Sequence, residues 1–314
     1  MVIPCKNMGN YVRQAIESVL AQTLPVHEIV VVDDASTDDS RDVLQRFSNR
    51  IRVLPSPGVG VSIARNAAML AATGEYIAFL DADDLWYPQK MEIQLQQMRT
   101  EARKLSFTDF RHSTDPDIPG GPVLTEYTAV ADGDVFSNLL RENFILTSTF
   151  VMHRDALALV GLFKPHLKVG EDRDLWLRVA RKMPMTWVKT PLAFKRRHLS
   201  NLTGSVEAPY LIANSWQVIQ SEHQDVSSED RAQIRYGLGL AAYDAGRHAI
   251  RQVRLDTARH YLTLAMRVGF NWRTGPWWLM LSCLPPILVQ VLLRIKHKFA
   301  GANDQHASNK PMTG

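Results

Sequence analysis

The chain has 314 residues, 46% of them hydrophobic and 22% charged, a composition that excludes a disordered protein and allows one large or two ordinary domains. The formal net charge of +4 is modest for this length, so we expect no nucleic-acid partner. Cys5 and Cys283 stand in unlike contexts and are expected to be reduced, and the first residues lack a signal-peptide pattern, so we predict a cytoplasmic protein.

Strand and helix patterns alternate through the first hundred residues. Residues 28–34 form a β-branched run, typical of a strand buried on both faces, and residues 11–20 place their apolar side chains on one helical face. This alternation predicts a doubly wound α/β layer with a mostly parallel sheet. The predicted strands are residues 1–4, 28–34, 51–54 and 75–80, and the predicted helices are residues 11–20, 36–47, 60–74 and 88–98.

Two acidic pairs directly follow predicted strands. Asp33 and Asp34 follow the second strand, and Asp81 and Asp83 follow the fourth. Because ligands of such sheets bind at the carboxyl ends of the strands, we expect both pairs at one edge. In an extended segment residues i and i+2 share a face, so Asp81 and Asp83 are suited to bind one Mg²⁺ or Mn²⁺. The alternative is a solvated acidic turn, or Asp84 capping the next helix.

Other polar residues of this half have two interpretations each. Asp33 and Asp34 are placed to accept hydrogen bonds from a nucleobase or a ribose, or else to cap the following helix. Arg65 is within reach of a phosphate, although a surface arginine is the default interpretation. The glycines at 58–60 do not follow the spacing of a dinucleotide-binding loop, so we predict no nicotinamide site.

Beyond residue 105 the alternation is less regular. Strands are predicted at residues 105–110, 147–153 and 186–198, and Pro191 is expected to break the last one. Residues 112–133 are rich in Pro, Gly, Asp and Thr, which predicts a loop, and we expect this loop to contact an acceptor.

Glu171 and Asp172 begin a predicted helix at residues 170–182, directly after Gly170. The backbone N–H groups at a helix start keep a carboxylate ionised, and an ionised carboxylate facing a cleft is a usable general base. The alternative is the ordinary enrichment of acids in a first turn.

The chain after about residue 207 is predicted to be helical. Residues 236–247 and 258–269 resemble one tetratricopeptide helix pair, too few for a solenoid, so we expect a helical appendage. Residues 276–293 are apolar and precede the basic run 294–298, which favours a helix in the membrane interface beside anionic head groups. The alternatives are a buried or oligomer-forming helix and a membrane span, for which the length is marginal and Pro285 is unfavourable.

Three separated groups of motifs carry a resemblance to a known family. They are "VIPCKN" with "AIESVLAQT" and "VVDDAST", then "ARNAAMLAATGEYIAFLDADD", then "GEDRDLWLRVA". In this order they strongly resemble the family 2 glycosyltransferases, over residues 1–205. The resemblance implies a GT-A fold and an inverting, metal-dependent sugar transferase. Only three residues precede Pro4, fewer than the family usually has, so we expect either that this sequence starts late or that the first strand is frayed.

The resemblance also implies roles for individual residues. Asp172 matches the base that deprotonates the acceptor hydroxyl. Asp81 and Asp83 match the metal-binding acids, with Asp83 the more direct ligand of Mg²⁺ or Mn²⁺, and Asp34, with Asp33 beside it, matches the acid that meets the nucleotide base. The remaining candidates are Pro4, Asn7, Arg65 and Asp81 at the donor nucleotide, and Glu171, Trp176, Arg178, Arg197 and His198 near the diphosphate or the acceptor.

The donor implied by the resemblance is a UDP-sugar. The acceptor is expected to be a carbohydrate or lipid-linked glycan in surface polysaccharide assembly, at the inner face of the plasma membrane. The alternatives are a regulatory protein that only binds sugar nucleotides and a nucleotidyltransferase; the oligomeric state is left open. The predicted domains are a catalytic domain at 1–205 (nucleotide-binding half 1–104, acceptor-side half 105–205), a helical extension at 206–270 and a membrane-associating tail at 271–314.

Overall fold

The computed structural model describes residues 1–114, 135–198, 206–270, 275–290 and 292. The chain divides into two compact units, Met1–Ser205 (unit 1) and Val206–Gly314 (unit 2). Most of the loop predicted at 112–133 lies outside the described residues, and so does the basic run at 294–298.

The first half of unit 1 contains the predicted parallel sheet. The strands of this half are β1 (Val2–Cys5), β2 (Val30–Asp34), β3 (Arg52–Ser56) and β4 (Tyr76–Ala78), of which β1, β2 and β3 form the parallel sheet. Its helices are α1 (Gly9–Leu20), α2 (Ser40–Gln45) and α3 (Val61–Ala71). β2 lies between β1 and β3, and both pairings are parallel. Val2 also bridges Phe79 in parallel, which places the end of β4 beside β1. The first strand is short but not frayed, since Val2 and Ile3 are fully buried.

α2 begins at Ser40 rather than at the predicted Ser36. Polar side chains between residues 36 and 40 accept hydrogen bonds from the backbone at the start of α1. Ser36 Oγ accepts a hydrogen bond from the backbone N–H of Asn7 at 2.9 Å, and Asp38 Oδ2 accepts one from Gly9 at 3.0 Å. These residues therefore satisfy backbone donors at the start of α1, and they do not extend α2.

The second half of unit 1 is a mixed sheet. Its elements are β5 (Leu85–Trp86), α4 (Lys90–Thr100), β6 (Leu105–Ser113), α5 (Phe136–Leu139), β7 (Val151–His153), α6 (Arg154–Val160), α7 (Glu171–Ala180) and β8 (Thr186–Arg196). The strand order is β4-β7-β6-β8-β5, and β6 with β8 is the parallel pair while the other pairs are antiparallel.

Two strand predictions in this half need correction. The strand predicted at 147–153 is limited to β7, because Thr147–Thr149 form a turn of 3₁₀ helix. β8 is not broken at Pro191; instead its pairing with β6 shifts register at Asp109, which lies opposite Pro191. A bulge of this kind accommodates a proline that cannot donate to the ladder.

Unit 2 is helical in the part that the structure describes. Its helices are α8 (Ala208–Glu222), α9 (Ser228–Arg251), α10 (Leu255–Arg267) and α11 (Gly275–Ser282). Two glycines of α9 permit close packing, since a Cβ on Gly237 would lie 2.1 Å from the ring of Trp216 and one on Gly246 would lie 2.6 Å from Leu262. None of the helices described is long and apolar enough to cross a membrane.

The two cysteines are free thiols in opposite environments. Cys5 ends β1 and is buried, and burial raises the pKa of its thiol to about 12. Cys283 directly follows α11 and is exposed.

Candidate active site

The carboxyl ends of three strands meet at one edge of the unit 1 sheet. Cys5 of β1 pairs with Asp33 at the end of β2. The chain beyond β4 stays beside β1 through a hydrogen bond from Leu80 N to Val2 O at 3.2 Å, and Asp81 follows directly. Both acidic pairs therefore lie at the same sheet edge, as the alternation of strands and helices predicts.

Asp34 is buried and holds the loop that precedes α3. Its carboxylate accepts hydrogen bonds from Val59 N at 3.0 Å and Gly60 N at 2.9 Å. Ser56 Oγ donates to it at 2.5 Å, and Lys6 Nζ lies 3.7 Å away. Burial acts to raise the pKa of Asp34, but the hydrogen bonds outweigh it and hold the pKa below its usual value. The carboxylate is therefore ionised and fixed in place.

Asp33 and Asn7 contact the loop after β2. Asp33 accepts a hydrogen bond from Ser36 N of this loop at 3.1 Å and one from Arg41 Nε of α2 at 2.7 Å. Asn7 has a left-handed backbone with φ of 53° and accepts a hydrogen bond from Thr37 N at 2.8 Å. Pro4 lies within β1. These contacts organise the sheet edge, and binding of a nucleotide by these residues stays a prediction.

Three carboxyl groups crowd the loop after β4, which we call the acid loop (residues 81–84). Asp81 Oδ1 lies 2.7 Å from Arg65 Nη2, and Asp83 Oδ2 lies 2.9 Å from His198 Nε2. Burial and then the charge of Asp81 raise the pKa of Asp83. Asp84 is fully buried, and burial with the charges of its two acidic neighbours raises its pKa well above the usual value. The acid loop thus concentrates negative charge at the sheet edge.

The donor atoms of the acid loop suit a divalent cation. Within the described ranges no three His, Cys, Asp or Glu side chains are grouped around one metal position. Asp81 and Asp83 nevertheless offer hard carboxylate oxygens one residue apart, and His198 lies beside Asp83. A cation held there would offset the burial and the charge of Asp81, which together raise the pKa of Asp83. These residues therefore fit Mg²⁺ or Mn²⁺.

Asp172 lies in the first turn of α7. Gly170 precedes the helix with φ of 81°, a left-handed conformation that favours glycine. Asn143 Nδ2 lies 3.1 and 3.2 Å from the two carboxylate oxygens of Asp172, and Thr147 Oγ1 donates to it at 3.4 Å. Two neutral donors, Asn143 and Thr147, thus orient the Asp172 carboxylate.

Arg65 joins the acid loop to α7. The residue is 4% exposed, and its guanidinium has Nη1 2.6 Å from Glu171 Oε1 and Nη2 2.7 Å from Asp81 Oδ1. Burial acts to lower the pKa of Arg65, but the two carboxylates raise it above its usual value. Burial and then the charge of Asp172 raise the pKa of Glu171 to about 7, although Arg65 opposes them. The predicted metal acids and the predicted base therefore converge around one buried ion pair.

Three other predicted site residues have supporting positions. Trp176 is fully buried among aromatic rings of the core. Arg178 Nη2 bonds Asp174 Oδ2 on its own helix at 2.7 Å, so it braces α7. Arg197 Nη2 lies 3.2 Å from His112 Nε2. The structure does not bring these side chains into the cluster around Arg65.

Sequence reasoning missed two residues of the sheet edge. The ring of Tyr11 stacks on His198 with centroids 4.7 Å apart, although the sequence pattern placed Tyr11 only on the apolar face of α1. Ser148 Oγ donates to Asp84 Oδ2 at 2.5 Å, in the same turn that carries Thr147. The polar triplet "TST" within an apolar segment was the available signal for this turn.

Comparisons with known proteins identify relatives of this chain. The family model described as "Glycosyl transferase family 2" matches residues 1–158. An uncharacterized glycosyltransferase of Rickettsia felis is 35% identical over 58% of this chain, which spans about 30% of that relative's length. The putative teichuronic acid biosynthesis glycosyltransferase TuaG of Bacillus subtilis is 30% identical, over 58% of this chain and 71% of its own.

A further relative has a more specific name. The UDP-Glc:alpha-D-GlcNAc-diphosphoundecaprenol beta-1,3-glucosyltransferase WfaP of Escherichia coli is 31% identical, over 58% of this chain and 70% of its own.

Solved structures share the fold. S. aureus TarS 1–349 in complex with UDP-GlcNAc superposes with a TM-score of 0.63 at 16% identity, over 85% of this chain and 81% of that one. The mannosyltransferase PcManGT from Pyrobaculum calidifontis, in complex with GDP-Man and Mn²⁺, gives 0.59 at 14% identity, over 93% of this chain and 85% of that one. The similarity confirms the predicted GT-A α/β fold with a helical C-terminal region.

Proposed function

Because this chain belongs to the glycosyl transferase family 2, we propose that it moves a sugar from a nucleotide-diphosphate donor to an acceptor hydroxyl with inversion. The observation that carries the proposal is the arrangement of the acid loop and Asp172 around the contact between Arg65 and Glu171. Asp81 and Asp83 of the acid loop act at the leaving diphosphate, and Asp172 acts at the attacking hydroxyl.

Asp172 is the general base of the proposed reaction. Asn143 and Thr147 hold its carboxylate in a defined direction. The acceptor hydroxyl loses its proton to Asp172 as its oxygen bonds to the anomeric carbon, while the bond from that carbon to the diphosphate oxygen breaks. The nucleoside diphosphate leaves with the electron pair, and the single displacement inverts the configuration. A positioned base typically contributes about 10²–10⁴ in rate.

The proposed donor is a UDP-sugar. The name of WfaP contains a UDP-sugar donor, and TarS binds UDP-GlcNAc in its solved complex, which supports this class for a chain with the same fold. Asp34 fixes Val59 and Gly60 at the sheet edge where the nucleoside is proposed to bind.

Asp81 and Asp83 are the proposed ligands of Mg²⁺ or Mn²⁺, with His198 beside them. When bound, such a cation stabilises negative charge on a leaving diphosphate. The Mn²⁺ in the PcManGT complex supports a divalent cation for this fold. Two residues outside the acid loop hold it in place: Ser148 through its hydrogen bond to Asp84, and His198 through its contact with Asp83.

A lipid-linked glycan of surface polysaccharide assembly is the proposed acceptor, at the membrane surface. The name of WfaP contains a diphosphoundecaprenol acceptor, and that of TuaG contains teichuronic acid biosynthesis. Residues 274–293 contain no charged side chain, yet several large apolar residues there are exposed, an unusual surface for a protein in water. The exposed residues are Trp277, Met280, Ile287, Leu288 and Leu292.

Turnover of a panel of nucleotide sugars tests the reaction. The purified chain is incubated with each UDP- and GDP-sugar, with Mn²⁺ and with chelator, and release of the nucleoside diphosphate is measured. We expect release from a UDP-sugar that chelator suppresses. Tight UDP binding without turnover of any donor, even with glycan acceptors added, would favour the regulatory sugar-nucleotide-binding protein instead.

Flotation with vesicles tests the membrane proposal. Vesicles containing phosphatidylglycerol are expected to carry the full chain to the top of a gradient, and Ile287→Ser with Trp277→Ser is expected to reduce this. Leu159→Ser removes an equally exposed apolar residue from unit 1 and is the matched control. Equal flotation of all three proteins would contradict the proposed role of these residues.

A further inference from the structure

Side chains of α3 form hydrogen bonds with the segment that leads into α7. Ser62 Oγ donates to Leu167 O at 3.3 Å. One turn along the helix, Asn66 exchanges two hydrogen bonds with the backbone of Phe163, at 2.8 and 2.9 Å. Arg65 lies on the same side, with its guanidinium carbon 5.4 Å from the ring centroid of Phe163. A single helix therefore sets where the chain enters the first turn of α7.

The other end of α3 begins at the loop held by Asp34. Gly60 is the residue before the helix, and its N–H donates to the Asp34 carboxylate. The helix runs without a break over its eleven residues, Val61–Ala71. Its position is thus tied at one end to the acid after β2 and along its length to the segment before α7.

Arg65 is committed to two carboxylates at once. Its two terminal nitrogens bond different partners, Asp81 on the acid loop and Glu171 on α7. Glu171 is the direct neighbour of Asp172, so this bond holds the residue that precedes the proposed base. A planar guanidinium fork fixes both partners in direction, which the single ammonium of a lysine does not. The Arg65 side chain is 5% exposed, so a diphosphate has little access to the N–H groups that these two bonds leave over.

We propose that Arg65 is a positioning residue that sets the distance between the acid loop and Asp172 by bridging Asp81 and Glu171, and that it does not bind the donor diphosphate. This inference rests on the proposed function, in which Asp172 is the base. Loss of the bridge leaves the donor bound but places the base wrongly against the acceptor hydroxyl.

Kinetics of Arg65→Lys and Glu171→Gln separate positioning from donor binding. We expect kcat to fall about 10- to 100-fold in both, because displacing a catalytic group by about 1 Å costs up to roughly 10²-fold. The donor KM, and the UDP affinity measured by calorimetry, are expected to stay within about twofold of the parent values, since no donor contact is lost. A loss of UDP affinity that matches the loss of kcat would overturn the proposal.

Lys164→Met is the matched control for these variants. Lys164 pairs with Asp174, so the substitution removes an ion pair between the same segment and the same helix without contacting Glu171. We expect kcat close to that of the parent chain. A fall as large as that of Glu171→Gln would mean that any loosening of α7 suffices, and the specific bridge would be rejected.

Addition of Asp172→Asn tests whether the bridge acts through the base. Once Asp172 cannot accept a proton, its position no longer matters, so Glu171→Gln is expected to cause no further loss of rate in that background. A multiplicative loss would show that Glu171 acts elsewhere and would overturn the proposal.

Hydrogen exchange tests the bridge without any turnover. Amides in the first turn of α7 are expected to exchange faster in Arg65→Lys than in Lys164→Met. Equal exchange in the two variants would overturn the bridge even if the reaction is as proposed. A parent chain that turns over no nucleotide sugar would instead reject the proposed function and leave this measurement decisive for the bridge.

Discussion

Unit 1 buries charged side chains, whereas every Asp, Glu, Lys and Arg in the described part of unit 2 is at least partly exposed. Among the residues that the structure describes, every buried Asp, Glu, Lys or Arg belongs to unit 1. Unit 1 contains equal numbers of basic and acidic residues, 24 of each, whereas residues 245–314 contain ten Lys and Arg against two Asp and Glu. Burying an ion costs several kcal/mol unless it is well paired. The buried charges of unit 1 therefore lower its stability, and the proposed sugar transfer explains why they are present. Unit 2 depends instead on close packing of its helices and on the proposed attraction of its surface to the membrane.

The largest expected effect lies at the base in unit 1. Asp172→Asn keeps the hydrogen-bonding shape of the side chain but cannot take the acceptor proton, so the transfer rate should fall by about 10²–10⁴. UDP affinity measured by calorimetry should be unchanged. An unchanged transfer rate would remove Asp172 from the role of base, and the buried charges around it would lose their explanation.

The next effect is a pH dependence of stability. The pKa of Glu171 is raised from 4.5 to about 7 in the folded chain. Between these values the folded state binds more protons than the unfolded state, so this group's contribution makes stability fall as pH rises from 4.5 to 7. The cost reaches on the order of 3 kcal/mol above pH 7.

Glu171→Gln removes this contribution. Urea unfolding at pH 4.5 and at pH 7.5 should therefore show a smaller loss of stability in the variant than in the parent chain. Glu17→Gln changes an exposed carboxylate of α1 and is the matched control. Parallel pH profiles for the parent chain and Glu171→Gln would show that burying this charge costs unit 1 little.

Unit 2 should be more sensitive to size than to charge. Gly237→Val forces a side chain into the ring of Trp216, and such overpacking typically costs about 1–3 kcal/mol. Thermal unfolding followed by circular dichroism would show it as a lower Tm. Leu240→Val, at an exposed position of the same helix, should have a much smaller effect. Equal shifts would mean that packing between α8 and α9 is looser than the glycine implies.

The smallest expected effect lies at an exposed ion pair of unit 1. Arg13 and Glu17 form an i,i+4 pair on α1, with Arg13 Nη1 3.0 Å from Glu17 Oε1. Arg13→Ala should lower stability by only about 0.3–0.5 kcal/mol, an effect that urea unfolding in high salt should abolish. A loss of unfolding free energy as large as the cost expected at Glu171 would show that exposed charges affect stability as much as buried ones do.

The sequence predicts those features of unit 1 that depend on local pattern. Both acidic pairs fall at strand ends because apolar runs mark the strands and parallel strands end at one edge. The partner of Arg65 was out of reach, since Glu171 is 106 residues away in the chain and only the folded sheet brings them together. The start of α2 was misplaced for the same reason: Ser36 bonds Asn7, 29 residues earlier, and nothing local favours that over capping its own helix.

The contrast between the two cysteines provides a ready-made labelling site. The thiolate is the reactive form of cysteine, and a buried thiol whose pKa is near 12 forms almost none at neutral pH. A maleimide dye should therefore attach to Cys283 alone, without any engineered cysteine. Because Cys283 lies within the uncharged stretch of unit 2, the emission colour of a polarity-sensitive label there reports directly whether that stretch leaves water when vesicles are added.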